Sequence, residues 1–237
     1  MRLPESTWTE VPDRSILVIP LGSCEQHGPH LPLDTDTRIA EALAAALVGR
    51  SGTGPDVLAG PTIGIGASGE HEGFPGTLSI GTLALEALLV ELVRSALPPP
   101  GSARPSPFRG VAVVNGHGGN VEATGRAAAL LASEGRHILV WHPRVGDGDS
   151  HAGRTETSLL LHLDPTCVRL DRAERGSTSR WREISSEVRS GRLREVTPNG
   201  VLGDPTAATA AEGADVFGRL VDDLCASFDS WRDTLGP

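Results

Sequence analysis

Short β-branched runs alternate with amphipathic segments along most of this 237-residue chain, and this alternation restricts its fold more than any other feature. Ser15–Leu21 is an apolar run typical of a strand buried on both faces, and apolar side chains then recur at helical spacing as far as Gly49. Strands that alternate with helices predict an α/β fold with a central, mostly parallel sheet flanked by helices.

Apolar runs of strand length and apolar side chains at helical spacing predict the remaining elements in the same way. The predicted strands are Ser15–Leu21, 56–65, 111–114 and Ile138–Trp141. The predicted helices are 39–49, 83–97, 123–133, Arg154–Leu163 and 206–231. Residues 171–203 are rich in Arg and Glu and show little periodicity, so no element is predicted there. Because there is no internal repeat and no long linker, we expect one domain that spans residues 1–237.

Charge and composition exclude several classes of protein. The formal net charge is −9, which argues against nucleic acid or an anionic membrane as a partner. All 21 basic residues are Arg and there is no Tyr, so Schiff-base chemistry at a lysine and a phosphate-binding Walker lysine are both excluded. Acid–base chemistry is left to the 8 His, the 30 carboxylates and the 3 Cys, or to a metal-bound water.

The cysteines and the first residues of the chain indicate where such a protein resides. Cys24, Cys167 and Cys225 are odd in number and far apart, which fits neither a disulfide framework nor a zinc knuckle. The first residues lack a basic start followed by an apolar core, and no apolar stretch is long enough to cross a membrane. We therefore expect a cytoplasmic protein without a membrane span.

Polar, glycine-rich loops follow the predicted strands, and in such sheets ligands bind beyond the carboxyl ends of the strands. The first loop contains Glu25 and His27, whose two-residue spacing points both side chains the same way on an extended backbone. Asp36 follows, and its two oxygens can bridge two metal ions. Alternatively, Asp34 or Asp36 only caps the next helix and the His residues have no role. This segment alone leaves both interpretations open, including one in which Asp34 is the cap and Asp36 the ligand.

Two further loops carry candidate site residues. His117 follows a buried strand in NGHGGN, where three glycines permit close backbone approach and unusual φ values, although one His in such a turn can also be incidental. Glu156 lies on the apolar face of a predicted helix, where a carboxylate binds a cation or metal, or else interacts with the helix dipole. His151 is close enough along the chain to reach the same site as a proton donor or acceptor.

The loop GASGEHEGFPGT adds Glu70, His71, Glu72 and Phe74 to the same rim of the predicted sheet. Its acids and His could bind metal, but neighbouring side chains in a loop point to different faces. We therefore expect the loop to face a substrate or a neighbouring subunit rather than to supply metal ligands.

Four segments resemble the signature sequences of the creatininase family of metal-dependent amidohydrolases. In chain order they are LGSCEQHGPHLPLDTD, GEHEGFPGT, VVNGHGGN and HAGRTETSLLLHLDP, and the later GVLGDPTAAT is also similar. Together the four span most of residues 16–168. The resemblance implies a creatininase-like three-layer sandwich, a homo-oligomer that is often a hexamer, and a two-metal site that hydrolyses a C–N bond.

The resemblance also implies roles for individual residues. The implied metal ligands are Glu25, His27, Asp36, His117 and Glu156. Asp36 is expected to bridge two divalent ions, which could be zinc, iron(II) or manganese, and His151 is expected to be the catalytic histidine. Creatininase itself has a Glu two residues after the His of its GH motif, whereas this chain has Gly119, and Glu156 is the candidate for the missing ligand.

Within the family, the chain is most similar to a peptidase branch that removes the modified C-terminal dipeptide portion of a precursor peptide during redox-cofactor biosynthesis. In the implied mechanism the ions hold a hydroxide that attacks an amide carbonyl, and His151 protonates the leaving nitrogen. One alternative is a family amidohydrolase that acts on a small cyclic amide or a formamide. Another is a protein that kept the fold without turnover. Residues that separate these substrates are expected around 70–74, 144–150 and Trp181.

Overall fold

A four-stranded parallel sheet, in the order β2-β1-β3-β4, forms the centre of the computed structural model, which describes residues 1–50, 56–99, 101–144, 149 and 151–236. The strands are β1 (Ser15–Leu21), β2 (Val57–Ala59), β3 (Phe108–Asn115) and β4 (Ile138–Trp141). The helices are α1 (Thr35–Gly49), α2 (Gly81–Ala96), α3 (Val121–Ser133), α4 (Arg154–Leu163), α5 (Trp181–Arg189), α6 (Leu193–Val196) and α7 (Ala210–Asp233). Within the described part of the chain, none of these helices is long and apolar enough to cross a membrane.

Helices cover both faces of the sheet, and β1 is therefore buried along its whole length. Successive side chains of a strand point to opposite faces, so Ile16 and Val18 pack with helices α1, α4 and α7 on one side. Leu17 and Ile19 pack with α2 and α3 on the other side. The predicted α/β fold, with a parallel sheet between two layers of helices, is thereby confirmed.

Several element boundaries differ from the predicted ones for local reasons. Strand β2 ends at Ala59 instead of residue 65, since Gly60 and Pro61 follow and proline has no N–H for the ladder. Helix α1 begins at Thr35 rather than residue 39. Helix α7 begins at Ala210 rather than residue 206, because the Thr209 side chain accepts a hydrogen bond from the Glu212 N–H and caps it.

Helices α5 and α6 lie in the segment for which no element was predicted. Ile184 and Val188 are one turn apart on α5 and are buried with Leu193 and Leu202 in a small core cluster of their own. Two apolar side chains in a charged segment give too weak a period to be recognised in the sequence. The packing of these few side chains places α5 beside the carboxyl end of the sheet.

Strands β1 and β3 are neighbours, and their last residues, Leu21 and Asn115, pair with each other. The loops that follow them therefore emerge side by side from the middle of the sheet. This arrangement brings together the two loops that carry most of the candidate ligands.

Candidate metal centre

Side-chain amides tie the loop after β3 to the loop after β1. The Asn115 amide donates to the backbone carbonyl of His117 over 2.7 Å, and the Asn120 amide donates to the carbonyl of Gly22 over 3.0 Å. All of these groups are buried or nearly so, which makes the hydrogen bonds worth more than at a surface. His117 is thereby held beside the loop that carries Glu25 and His27.

Glycine at position 116 permits the close approach of the β3 loop and α1. A Cβ atom there would lie only 2.4 Å from the backbone oxygen of Asp36, so a larger residue would force the two segments apart. The unusual φ values expected for this turn are absent, because none of Gly116, Gly118 and Gly119 has a positive φ. Gly116 and Gly119 provide space rather than special backbone conformations, whereas a Cβ atom at Gly118 would meet no other atom within 4 Å.

Asp36 faces two different imidazoles with its two carboxylate oxygens. Oδ1 lies 3.2 Å from His27 Nε2, and Oδ2 lies 3.0 Å from His117 Nδ1. Oδ2 also accepts a hydrogen bond from the Ser23 hydroxyl over 2.8 Å. Asp34 occupies the N-cap position of α1, yet its side chain makes no cap hydrogen bond and instead pairs with Arg38 at 2.8 Å. Asp36 thus has the geometry that a bridging ligand requires.

Glu25 is completely buried, and its carboxylate oxygens make no well-aligned hydrogen bond with the described residues. Its nearest polar neighbours are imidazole nitrogens, with Oε2 3.1 Å from His117 Nε2 and Oε1 3.3 Å from His71 Nε2. Burying a carboxylate without hydrogen bonds is costly unless a cation compensates for it. Ligand atoms about 2.1 Å from one ion lie about 3.0–3.5 Å from each other, so these separations fit a metal ion.

Two further residues come from the first turn of α4 and the segment before it. Glu156 Oε2 lies 3.8 Å from His27 Nε2 and accepts a hydrogen bond from the Ala152 N–H over 2.6 Å. His151 Nε2 lies 2.8 Å from the Gln26 carbonyl oxygen, and its ring centroid is 4.3 Å from that of His27. Ala152 has a φ of 51°, a left-handed conformation that costs a non-glycine residue about 1 kcal/mol. The hydrogen bonds to the Ala152 N–H and the Gln26 carbonyl hold Glu156 and His151 at the cluster despite this strain.

Candidate ligands of the described residues fall into three overlapping groups. They are Glu25, His27 and Asp36; His27, His151 and Glu156; and Glu25, His71 and His151. His117 belongs to none of these three groups but lies within 3.1 Å of carboxylate oxygens of both Glu25 and Asp36. The structure therefore brings all five predicted ligands and the predicted catalytic His151 into one buried cluster.

The ionisable side chains of this cluster have pKa values far from their ordinary ones. Burial raises the pKa values of Glu25 and Glu156 to about 7. Burial lowers the pKa values of His27 and His117, but the carboxylates beside them, chiefly Asp36 and Glu25, outweigh burial and raise both to about 10. Two protonated imidazoles thus balance buried carboxylates in the metal-free protein. A bound cation would replace those protons, so that metal binding releases protons.

His71 and Glu70 also reach the cluster, which the sequence analysis did not expect. The His71 side chain is buried against Glu25, and Glu70 Oε1 lies 3.7 Å from His117 Nε2. The Glu70 carboxylate takes the space next to Gly119, since a Cβ atom at that position would lie 2.5 Å from Glu70 Oε1. A 3-10 turn over Gly69–His71 turns both neighbouring side chains towards the site, and nothing in the sequence spacing indicated that turn.

A cavity of about 1560 Å³ opens from the cluster. Its wall includes Asp36, His117, His151, Glu156, Trp181 and Arg189. The segment 70–72 and Trp181 line it, in agreement with their expected position near a substrate. Of the loop 144–150, which was expected to help select the substrate, residues 145–148 and 150 lie outside the described residues. The cavity gives a buried polar cluster access to a ligand much larger than water.

Comparison with known proteins identifies the family of this chain. A family model described as creatinine amidohydrolase matches residues 4–228. A protein of Mycolicibacterium smegmatis named mycofactocin precursor peptide peptidase is 50% identical, over 92% of this chain and 85% of its own. A Mycobacterium tuberculosis protein of the same name is 47% identical, over 97% of this chain and 91% of its own. A creatininase structure with manganese superposes with a TM-score of 0.74 at 24% identity, over 99% of this chain and 98% of that one.

The parallel sheet, the buried imidazole–carboxylate cluster at its carboxyl edge and these matches together identify a metal-dependent hydrolase with an α/β fold. The chain belongs to the creatininase family, whose members hydrolyse C–N bonds.

Proposed function

We propose that this chain is a dinuclear metal-dependent peptidase that removes the modified C-terminal dipeptide portion from the mycofactocin precursor peptide. The observation that carries this proposal is the 50% identity, over 92% of the chain, to a relative named mycofactocin precursor peptide peptidase. The size of the cavity supports it, because about 1560 Å³ exceeds the usual range for small-molecule sites and accommodates a peptide segment.

In this proposal one ion is held by Glu25 and His117, the other by His27 and Glu156, and Asp36 bridges them. The two oxygens of Asp36, each facing a different imidazole, support the bridge. The complete burial of Glu25 beside His117 supports a ligand role for that residue. Imidazole and carboxylate ligands together accept zinc, manganese or iron(II), so the donor set does not select one metal.

Bound divalent ions would supply Lewis acidity to an amide carbonyl and an activated water. His151 would carry a proton to the leaving nitrogen, a role supported by its place at the cluster, where its ring lies against His27 and its Nδ1 lies 3.7 Å from Glu25 Oε1. The buried position of the cluster would keep other water from the reaction. Trp181 and Arg189 on the cavity wall would contact the rest of the peptide.

A second candidate function is hydrolysis of a small cyclic amide or a formamide, favoured by the description of the family model as creatinine amidohydrolase. The two functions share every proposed ligand and differ in what fills the cavity. They are separated by incubating the metal-loaded protein with the modified precursor peptide, with creatinine and with a formamide, with and without a chelator. Release of a C-terminal fragment from the peptide alone, abolished by the chelator and detected by mass spectrometry, is expected. Turnover of creatinine or the formamide alone would establish the second function instead.

We further propose that residues 1–237 form one domain and that the chain acts as a homo-oligomer, a hexamer by analogy with its family. Leu78 and Leu83 support a subunit contact, since both are apolar and more than half exposed on the segment whose Gly81 and Thr82 line the cavity. Sedimentation analysis tests the oligomeric state, and a monomer at micromolar concentration would refute the proposed oligomer.

The cytoplasm is the proposed location, supported by three free cysteines.

A further inference from the structure

Gln26 lies between the two candidate ligands Glu25 and His27, and its buried side chain contacts two histidines at once. Its Nε2 lies 3.0 Å from His71 Nδ1, 3.0 Å from His151 Nε2 and 3.1 Å from the Gly200 carbonyl oxygen. An amide nitrogen has only two protons, so it cannot donate to all three neighbours. Which contacts are hydrogen bonds therefore determines where the two imidazoles carry their own protons.

Two backbone groups fix the orientation of the Gln26 amide. Its Oε1 accepts a hydrogen bond from the Gly28 N–H over 2.9 Å, and a backbone N–H can only donate. Its Nε2 faces the Gly200 carbonyl, which can only accept. A flipped amide would place two donors together at Gly28 and two acceptors together at Gly200. One amide proton is thus committed to Gly200.

A third backbone group fixes the proton of His151. His151 Nε2 lies 2.8 Å from the backbone carbonyl oxygen of Gln26, which only accepts, so this nitrogen carries a proton. A protonated Nε2 cannot accept from the Gln26 amide, despite their 3.0 Å separation. The second amide proton consequently goes to His71 Nδ1, which must be the unprotonated nitrogen of that ring.

We propose that Gln26 is a positioning residue that makes His151 present a lone pair to the metal cluster and makes His71 present a proton to it. Both rings then carry their proton on Nε2, but they face Glu25 differently. His151 turns Nδ1 towards Glu25 Oε1 at 3.7 Å, whereas His71 turns Nε2 towards the same oxygen at 3.3 Å. His151 is free to take a proton or bind a cation, and His71 is not a metal ligand, although it lies among the candidate ligands.

This assignment deepens the proposed function, because it rests on the proposed proton-transfer role of His151 and names the ring nitrogen that performs it. It also explains why His71 does not bind a metal ion, although it lies beside the proposed ligands. The neutral state of His71 follows from the geometry alone, since a doubly protonated ring would oppose the Gln26 amide donor with a donor of its own.

The test is a two-bond ¹H–¹⁵N correlation spectrum of the metal-free protein with ¹⁵N-labelled histidine, with signals assigned through single His→Gln variants. Both His71 and His151 are expected as the Nε2–H tautomer. In Gln26→Glu an acceptor oxygen replaces the amide donor, so the His71 proton is expected to move to Nδ1. The His151 signal is expected to stay unchanged, because a backbone carbonyl holds it, and it serves as the internal control.

A wild-type His71 with its proton on Nδ1, or a Gln26→Glu spectrum in which His71 does not change, would overturn the proposal. If Gln26→Glu does not fold, the wild-type spectrum alone still decides. Metal content provides a second test, in which His71→Gln retains the full complement of zinc and His27→Gln loses about half of it. A loss in His71→Gln equal to that in His27→Gln would also overturn the proposal. A protein that binds no metal would refute the proposed function and leave the tautomer result standing.

Discussion

Glu156 Oε2 lies 3.8 Å from His27 Nε2, and this contact joins the first turn of α4 to the loop after β1. A second carboxylate, that of Glu70, lies 3.7 Å from His117 Nε2 instead. Either carboxylate could replace the glutamate ligand that creatininase has at the position of Gly119. The position of Glu156 beside His27 favours Glu156, because His27 is the proposed ligand of the second ion, whereas Glu70 lies beside His117, a proposed ligand of the first.

Glu156→Gln is therefore expected to retain about one of two zinc ions per subunit, because the amide replaces a charged oxygen ligand with a weaker one. Glu70→Gln is the matched control and is expected to retain both ions. Metal per subunit is measured by inductively coupled plasma mass spectrometry after dialysis. Full occupancy in Glu156→Gln together with a lost ion in Glu70→Gln would assign the ligand to Glu70 instead.

Asp36→Asn is expected to remove both bound metal and activity, since both oxygens of this buried carboxylate face imidazoles. Metal affinity should fall by more than ~100-fold, the upper range for changes to groups that only support a ligand. Calorimetric titration of the metal-free protein with zinc measures it. Asp34→Asn, which changes a half-exposed carboxylate paired with Arg38, should bind zinc like the wild type. Equal affinities for Asp36→Asn and Asp34→Asn would exclude the bridging role.

His151→Asn is expected to keep both ions and lose turnover, because the side chain moves a proton rather than holding a metal. The expected fall in kcat is ~10²–10⁴-fold, with a much smaller change in KM. Steady-state kinetics and metal analysis on the same sample measure both quantities. His162→Asn is the control, since the His162 ring on α4 packs against Phe217 of α7 rather than at the cluster. Wild-type rates in His151→Asn would exclude it as the proton carrier.

The sequence predicted the sheet well because its signal is local. Strands β1 and β4 end where their apolar runs end, and for β1 burial on both faces explains why the run is continuous. Helix α5 escaped prediction because its core face consists of Ile184 and Val188 alone, so its stability comes from contacts with residues distant in sequence.

The site was predictable where spacing along the chain sets direction. Glu25 and His27 are two apart and do meet in one cluster with Asp36. His71 was missed, because a 3-10 turn at Gly69–His71 directs it to Glu25, whereas the loop was expected to face a substrate or a neighbouring subunit. Gln26 was missed for another reason. A neutral amide carries no signal of its own until its donors and acceptors are counted in three dimensions.

His30 is expected to make the metal-free protein less stable in mild acid. Burial, assisted by the positive charge of His27, lowers the pKa of His30 to about 4, against about 6.5 in an unfolded chain. The unfolded state therefore binds the extra proton first as pH falls. The contribution of His30 is complete above pH 6.5 and is lost between pH 6.5 and 4, at up to about 1.4 kcal/mol per pH unit.

Urea unfolding of metal-free wild type and of His30→Gln between pH 4 and 8 measures this contribution. His30→Gln is expected to be less stable than wild type at pH 8, where it lacks the contact of His30 Nε2 with the Thr157 hydroxyl at 2.8 Å. The difference should shrink as the pH falls to 4. A difference between the two proteins that is independent of pH would show that His30 titrates normally in the folded state.

Anomalous X-ray diffraction from crystals of the zinc-loaded protein tests the central claim most directly. Two peaks per subunit are expected, one bounded by Glu25, Asp36 and His117 and the other by His27, Asp36 and Glu156. Asp36 should contact both ions. A single peak, a pair of peaks that Asp36 does not bridge, or a peak ligated by His71 would contradict the account.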